Sequence, residues 1–258
     1  MTDNVTNFLA SGIEIKGTIR FQNDMHIDGN YLILFKQFKK AIKMEEVKCY
    51  FMIILASILV IFINIVKTYT NVFKAFTDAA FQVGSIITTT GYSTTDFDLW
   101  PGTSKTILVM LMFVGACAGS TGGGIKVSRF LIMFKTVVKE LRSYIHPKSI
   151  QKIKMDDKPV PHEVVRSVNV YGITFITIFA ASIFLLSLDG KDLITNFTAV
   201  ATTLNNIGPG LNLVGPTRNF DLFSPFAKFV LMFDMLAGRL ELFPLLILFH
   251  PTIWKEHK

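Results

Sequence analysis

Hydrophobic residues along this chain gather into runs set apart by polar or basic stretches. Tyr50 to Val66 and Val168 to Leu188 approach the roughly 20 residues that cross a bilayer, so each is expected to be a spanning helix. A third run, Leu222 to His250, is longer and is interrupted by Asp234, Arg239 and Glu241. Two shorter runs, Asn71 to Ile87 and Asp192 to Leu204, are too polar to span alone and fit short helices packed inside protein. Thr106 to Ala118 opens one more helix, which then meets five glycines between Gly115 and Gly124. Three of these are consecutive, and glycine disfavours helix strongly enough that a break within the membrane is expected.

The runs form two copies of one unit. Gly91 and Gly208 lie 117 positions apart (91 to 208), and so do Phe51 and Val168, near the starts of the two long runs (51 to 168). Each short run ends in a polar stretch with a central glycine: Thr88-Thr89-Thr90-Gly91-Tyr92-Ser93 in the first unit, Asn205-Asn206-Ile207-Gly208-Pro209-Gly210 in the second. Backbone that leaves the helical hydrogen-bond pattern at membrane depth must be buried in protein or line water. Carbonyls lining water can hold cations, and glycine admits the angles that turn successive carbonyls toward one axis. The candidate cation ligands are therefore Thr89, Thr90, Gly91 and Tyr92 with Asn206, Ile207, Gly208 and Pro209. The C-terminal dipoles of the two short helices would favour a cation on the same path. An interfacial helix and turn would account for either unit alone, but not readily for the repeat. The implied fold class is an all-α membrane protein built from two tandem helix, re-entrant pore loop, helix repeats of potassium-channel type.

Composition agrees with a membrane protein: half of the 258 residues are hydrophobic, 24 are phenylalanine, and the mean hydropathy is +0.45. The net charge of +7 would suit a nucleic-acid binder, but its distribution points elsewhere, and no nucleic-acid partner is expected. Between Lys126 and Arg166 ten Lys/Arg face four Asp/Glu, which places this stretch in the cytoplasm by the positive-inside rule. Lys36, Lys39, Lys40, Lys43 and Lys48 before the first span, and Lys255 and Lys258 after the last, put both ends on that side. The other connections are less basic, with Asp96, Asp98 and Lys105 in one and Asp189, Lys191 and Asp192 in the other. Both pore loops are then expected to enter from outside in a multi-pass protein of the cell (inner) membrane.

Cys49 and Cys117 lack metal-ligand spacing and are expected to be reduced packing residues. No signal peptide is apparent. Met1 to Asn30 shows no sustained periodicity, whereas Tyr31 to Lys48 has the spacing of an amphipathic cytoplasmic helix. His146-Pro147 and Pro159-Val160-Pro161 should interrupt helices. The basic stretch between Arg129 and Arg166 suits anionic lipid headgroups or a regulatory subunit, although positive-inside topology alone explains most of its charge. The expected domains are a cytoplasmic segment 1–49, a first pore repeat 50–145, a basic linker 146–166 and a second pore repeat 167–258.

The order of apolar helix, pore helix, Thr-Thr-Thr-Gly-Tyr-Ser, a helix broken at Gly119-Ser120-Thr121-Gly122-Gly123-Gly124-Ile125-Lys126, then Asn-Asn-Ile-Gly-Pro-Gly and Gly238-Arg239-Leu240-Glu241, resembles the Trk/Ktr/HKT superfamily of potassium transporters, the bacterial Trk-type membrane subunit above all. The resemblance runs from about Asp28 to the C-terminus and implies potassium uptake, with the potassium ion as cargo, no other cofactor, and no enzymatic activity. Full-length members carry four repeats; the two here match the third and fourth. The resemblance further implies that Gly119, Ser120, Thr121, Gly122, Gly123 and Gly124 form an intramembrane gating loop with Lys126 at its cytoplasmic edge, and that Arg239 lies near the ion path. A charge at mid-membrane needs a partner. Asp234 or the carbonyls of the glycine loop are the candidates, since Glu241 is too close in sequence to share a helix face; a structural ion pair is the alternative. A phosphate-binding reading of the glycine string fails because Ile125 separates Gly124 from Lys126 and no strand precedes it. Partners implied are the lipid bilayer, a second copy of the chain or a separate N-terminal half, and a cytosolic nucleotide-binding regulatory subunit. The competing reading is a non-conducting remnant or scaffold subunit that needs such a half.

Overall fold

The computed structural model describes residues 42–146 and 152–239. The first unit opens with helix α1 (Glu45–Ile65), extended by one 3-10 turn to Thr68. Glu45 and Glu46 occupy its first turn, where carboxylates complement the helix dipole. Further along, Phe51, Met52, Leu55, Leu59 and Ile63 are exposed, the face expected of a helix solvated by lipid. Helix α2 (Val72–Ile87) follows, with the Asn71 side chain accepting hydrogen bonds from the Phe73 and Lys74 amides at 2.9 and 3.4 Å, a standard N-cap. Helix α3 (Gly102–Phe113) completes the unit. Ile61 and Ile65 of α1, Ala75, Ala79 and Val83 of α2, and Leu108, Leu111 and Met112 of α3 form its core, with Phe97 and Trp100 from the connection.

After the loop 114–126 comes helix α4 (Val127–Ile145), then a small hairpin of β1 (Lys154–Met155) and β2 (Lys158–Pro159). Its turn residues Asp156 and Asp157 both have positive φ, 50° and 63°, the geometry of a two-residue type I′ turn. The second unit repeats the plan with α5 (His162–Ser187), α6 (Leu193–Leu204) and α7 (Pro225–Arg239). α1 and α5 are the two helices among the described residues that are long and apolar enough to cross a membrane. α6 is buried almost throughout and is N-capped by Asp192, whose carboxylate accepts from the Thr195 amide at 3.0 Å. Leu186, Ala199, Val200, Ala227, Val230 and Leu231 make the core of this unit. Phe113 and Phe179 bridge the units, their rings 5.3 Å apart edge to face, and both contact Phe197.

The 117-residue period survives in three dimensions: α1 and α5 begin at Glu45 and His162, and α2 and α6 end at Ile87 and Leu204. Both short helices fall within one residue of their expected bounds, and α4 and α5 stop and start at the proline clusters. Elsewhere the elements differ from expectation or pass beyond the described residues. Residues 31–41 of the expected amphipathic helix and Glu241 lie outside the described residues, and Glu45 to Lys48 belong to α1. The inner helix starts at Gly102 and breaks at Val114, ahead of all five glycines between Gly115 and Gly124, because Val114 leaves the helix to pair in parallel with Ile125. Of the basic stretch, Arg129 to Ile145 lie in α4 and His162 to Arg166 in α5. Among the described residues, the hairpin is the one element outside an otherwise helical plan.

Candidate functional site

The two glycine-centred stretches follow one backbone path. Thr88 and Asn205 close their helices with φ/ψ of −87°/0° and −98°/2°, their amides bonding back to Gly84 and Ala201. Thr89 and Asn206 then turn left-handed, at φ 55° and 56°, with amides on the carbonyls of Ile86 and Thr203. The next amides, of Thr90 and Ile207, reach Ser85 and Thr202 at 2.9 and 2.8 Å. Gly91 and Gly208 are again positive, at 80° and 117°. A β-branched residue with positive φ is a true outlier, costing about 1–3 kcal/mol, and such strain collects at ligand sites. Thr89 is that residue here.

This path directs the amides of each segment into its own helix C-terminus. Among the described residues, no hydrogen-bond donor meets the carbonyls of Thr89, Thr90, Gly91, Asn206, Ile207 or Gly208. Tyr92 differs, because its carbonyl accepts from the Ser85 hydroxyl at 2.5 Å, so that oxygen is drawn back onto α2. The two segments approach each other closely: a Cβ added to Gly91 would run into the Ile207 carbonyl oxygen and come within 3.5 Å of Pro209 Cδ. Asn206 Nδ2 also donates to the Met235 carbonyl at 3.1 Å, tying the second segment to α7.

The residues after each segment brace it. Gln82 Nε2 donates to Ser93 Oγ at 2.9 Å, and Thr94 Oγ1 to Asp78 Oδ1 at 3.0 Å. Asp98 accepts from the Asn212 amide at 3.1 Å and Asp96 from Thr217 Oγ1 at 3.2 Å, joining the first unit to the second. The acidic residues that set the expected topology thus also act as clamps. Asp192 lies below the usual carboxylate range, chiefly because the Thr195 hydroxyl donates to it, and Asp189 does so because the Ser224 hydroxyl and amide donate to it. Since both values are lowered on folding, their stabilising effect is complete above the ordinary aspartate value and is lost only as pH falls through the native values. Amide exchange at Thr195 and Ser224, corrected for intrinsic rates, is expected to be flat from about pH 8 to pH 5 and to quicken below about pH 4. Asp192→Asn should remove that acid dependence at Thr195.

The loop 114–126 lies against both segments. Its neck is closed by Gly115 donating to the Ile125 carbonyl at 2.8 Å and Ile125 to that of Phe113 at 3.1 Å. The Gly123 amide donates to Thr89 Oγ1 at 3.3 Å, and a Cβ on Gly123 would run into the Asn205 carbonyl. Lys126, 8% exposed, donates to the carbonyls of Ser120 and Gly122 at 2.9 and 2.6 Å and to Ser120 Oγ at 3.1 Å. Arg239 donates to the Thr121 carbonyl at 2.8 Å. Of the partners expected for Arg239, the loop carbonyl is the one found; Asp234 instead accepts from Ser182 Oγ at 2.7 Å. Gly119 and Gly124 take positive φ where the loop turns. The structure therefore brings Gly122, Gly123, Lys126 and Arg239 into one assembly with Thr89 and Asn205.

Sequence reasoning missed Glu46. It is 4% exposed, and its Oε1 accepts from the Ala118 amide at 2.7 Å and the Ser128 amide at 3.1 Å, one on each side of the glycine loop. In the sequence it stands in a run of charges before a span, where a solvated glutamate is the ordinary case. Nothing local marks it as buried.

The family model for TrkH, described as a cation transport protein, matches residues 18–256. The Trk system potassium uptake protein TrkH of Escherichia coli K12 is 38% identical over 190 residues, which is 74% of this chain and 39% of that protein. TrkH of Vibrio parahaemolyticus is 40% identical over 216 residues, 83% of this chain and 44% of that protein. The crystal structure of the potassium transporter TrkH from Vibrio parahaemolyticus superposes with a TM-score of 0.74 at 39% identity, covering 81% of this chain and 45% of that one. The chain thus spans about two-fifths of the length of the curated relatives it matches.

Proposed function

The chain belongs to the TrkH cation transport protein family, and from that premise we propose that it contributes two of the four walls of a potassium-conducting pore in the cell membrane. Residues 89–91 and 206–208 are the filter walls, selecting by backbone carbonyls, with Tyr92 and Pro209 at their outer ends. The loop Gly119 to Gly124, held by Lys126 and Arg239, is the gate beneath them. The observation that carries this reading is the shared backbone path. Two stretches with no residue in common except the central glycine hold left-handed angles at equivalent places, direct their amides into the preceding helix, and leave their carbonyls without donors. Such carbonyls suit a partly dehydrated cation of potassium's size and low charge density.

Two walls cannot surround an ion. The other two come from a second copy of the chain or from a further polypeptide segment carrying two more repeats. On this topology the start of α1 and the basic stretch between Arg129 and Arg166 face the cytoplasm, where a nucleotide-binding regulatory subunit can be reached. Growth at limiting potassium, in cells stripped of their own uptake systems and expressing this chain alone, tests the proposal. Growth that disappears in Gly208→Asp means that the two repeats assemble into a complete pore. Absence of growth despite verified insertion, reversed by co-expression of a partner with two further repeats, assigns the chain to a split pore. Absence of growth in both settings identifies a non-conducting scaffold and overturns the proposal.

A further inference from the structure

We propose that the outer half of α4 is an anchor that lies on anionic lipid headgroups at the cytoplasmic face. The proposal rests on the membrane reading above. Phe134, Val137, Leu141, Tyr144 and Ile145 are all exposed, from 56% at Val137 to 84% at Tyr144. Their spacing of three and four puts them on one side of the helix. Lys135, Lys139 and Arg142 recur at four and three along the adjoining flank. A face of five large apolar side chains over the twelve residues from Phe134 to Ile145 is not what water selects on a free helix.

The level of this face in the membrane follows from its neighbours. Lys135 pairs with Glu45, the first residue of α1, and also donates to the Lys154 carbonyl of the hairpin at 2.7 Å. Earlier on α4, Arg129 stacks 4.1 Å from the ring centre of Tyr171 on α5. Halfway along, α4 has therefore reached the end of the spanning helix, and its remaining residues run where headgroups lie. Apolar residues with a basic flank at that depth match an anionic interface: the ring and aliphatic groups enter the acyl boundary, and the cations meet phosphates. Acidic groups are fewer there. Glu140 stands 3.6 Å from Lys139, and Asp156 of the hairpin is already accepting from the Glu45 amide at 2.7 Å. From Phe134 to Ile145 three cations stand against the single carboxylate of Glu140, so this half of α4 is net positive. Because Lys126 both holds the glycine loop and caps α4, a lipid that fixes α4 also restrains the loop.

The test uses the full chain reconstituted in vesicles of phosphatidylcholine, with or without about one-third phosphatidylglycerol. Leu141→Trp reports on α4, and Phe184→Trp, on the exposed face of α5, reports on the span; both are read above the background of the native tryptophans. Lipids brominated near the headgroup should quench Leu141→Trp, about twofold more strongly with phosphatidylglycerol present. Lys139→Glu combined with Arg142→Glu should reduce that quenching to its level in neutral lipid. Quenching that is equal in the two lipids overturns the recognition of anionic headgroups. A Leu141→Trp signal that stays water-like in vesicles overturns the anchor, and one that shifts only when a cytosolic protein is added assigns the face to that protein instead. An unquenched Phe184→Trp overturns the membrane reading itself, which separates that failure from the failure of the anchor.

Discussion

Gly91→Ala is expected to abolish potassium-selective flux while leaving membrane insertion unchanged, and to do so more completely than Gly208→Ala. Two costs add at Gly91. Its φ of 80° is left-handed, which costs an alanine roughly 1–2 kcal/mol. Its Cβ would also run into the carbonyl oxygen of Ile207, lie 3.2 Å from the carbonyl carbon, and touch the ring of Pro209. Relief requires moving the Ile207 carbonyl, which is itself a proposed ligand, so the substitution damages both walls at once. At Gly208 the φ of 117° is equally closed to alanine, but no heavy atom lies within 4 Å of the added methyl, and the strain is free to relax locally. A displacement worth about 3 kcal/mol corresponds to roughly a hundredfold in rate. Rubidium uptake into vesicles should fall by that order for Gly91→Ala and by less for Gly208→Ala, with weaker discrimination against sodium in both. Discrimination and flux unchanged in Gly91→Ala, at matched expression, would remove residues 89–91 from the filter.

What was legible in the sequence was everything that periodicity and backbone chemistry decide. Spans appear as runs, and the repeat appears as a constant spacing. Asn71 and Asp192 open the two short runs, and in the structure each is the cap immediately before its helix. Gly91 and Gly208 are visible because positive φ selects for glycine. Thr89 and Asn206 were named for position alone; their left-handed angles are imposed by the helix C-terminus and the packed loop, and Thr89 has no local preference for them. The early break at Val114 was hidden for a related reason. Valine is tolerated in a helix, and its pairing with Ile125 depends on a turn eleven residues away.

The charged residues show the same limit more sharply. Three of them, Glu46, Lys126 and Arg239, bind backbone of the glycine loop or its flanks, from three different elements. Arg239 and Lys126 attract notice because a cation within or beside a span is unusual. Glu46 does not, because at the sequence level it is one of several charges before α1. A glycine-rich loop has little side-chain packing of its own to define its shape, so its conformation is set by what satisfies its amides and carbonyls. Lys126 is local to the loop, but Glu46 and Arg239 are distant in the chain, and their pairing with it is a property of the fold.

Glu46→Ala should therefore have the largest effect on the loop, and it should raise flux. The substitution leaves the amides of Ala118 and Ser128 without their acceptor, in a position that is 4% exposed at the wild-type side chain. Each buried donor left unsatisfied costs about 1–3 kcal/mol, so the closed loop loses about 2–6 kcal/mol relative to any arrangement that exposes those amides to water in the pore. Every 1.4 kcal/mol shifts a two-state equilibrium roughly tenfold, so on the proposed gating role a loop closed nearly all the time becomes open for a substantial fraction of it. Rubidium uptake is expected to rise by about tenfold or more, with potassium over sodium preference retained, because the filter segments keep their own hydrogen bonds. Glu46→Gln keeps a side-chain carbonyl oxygen that can accept both amides and should lie close to wild type, which separates loss of the acceptor from loss of charge. Hydrogen exchange at Ala118 and Ser128 gives an independent reading in the same vesicles: both amides should exchange faster in Glu46→Ala, and that measurement holds even if flux requires a partner. Unchanged exchange at these amides, or reduced flux in a well-inserted Glu46→Ala, would show that the loop is not the barrier that Glu46 holds shut.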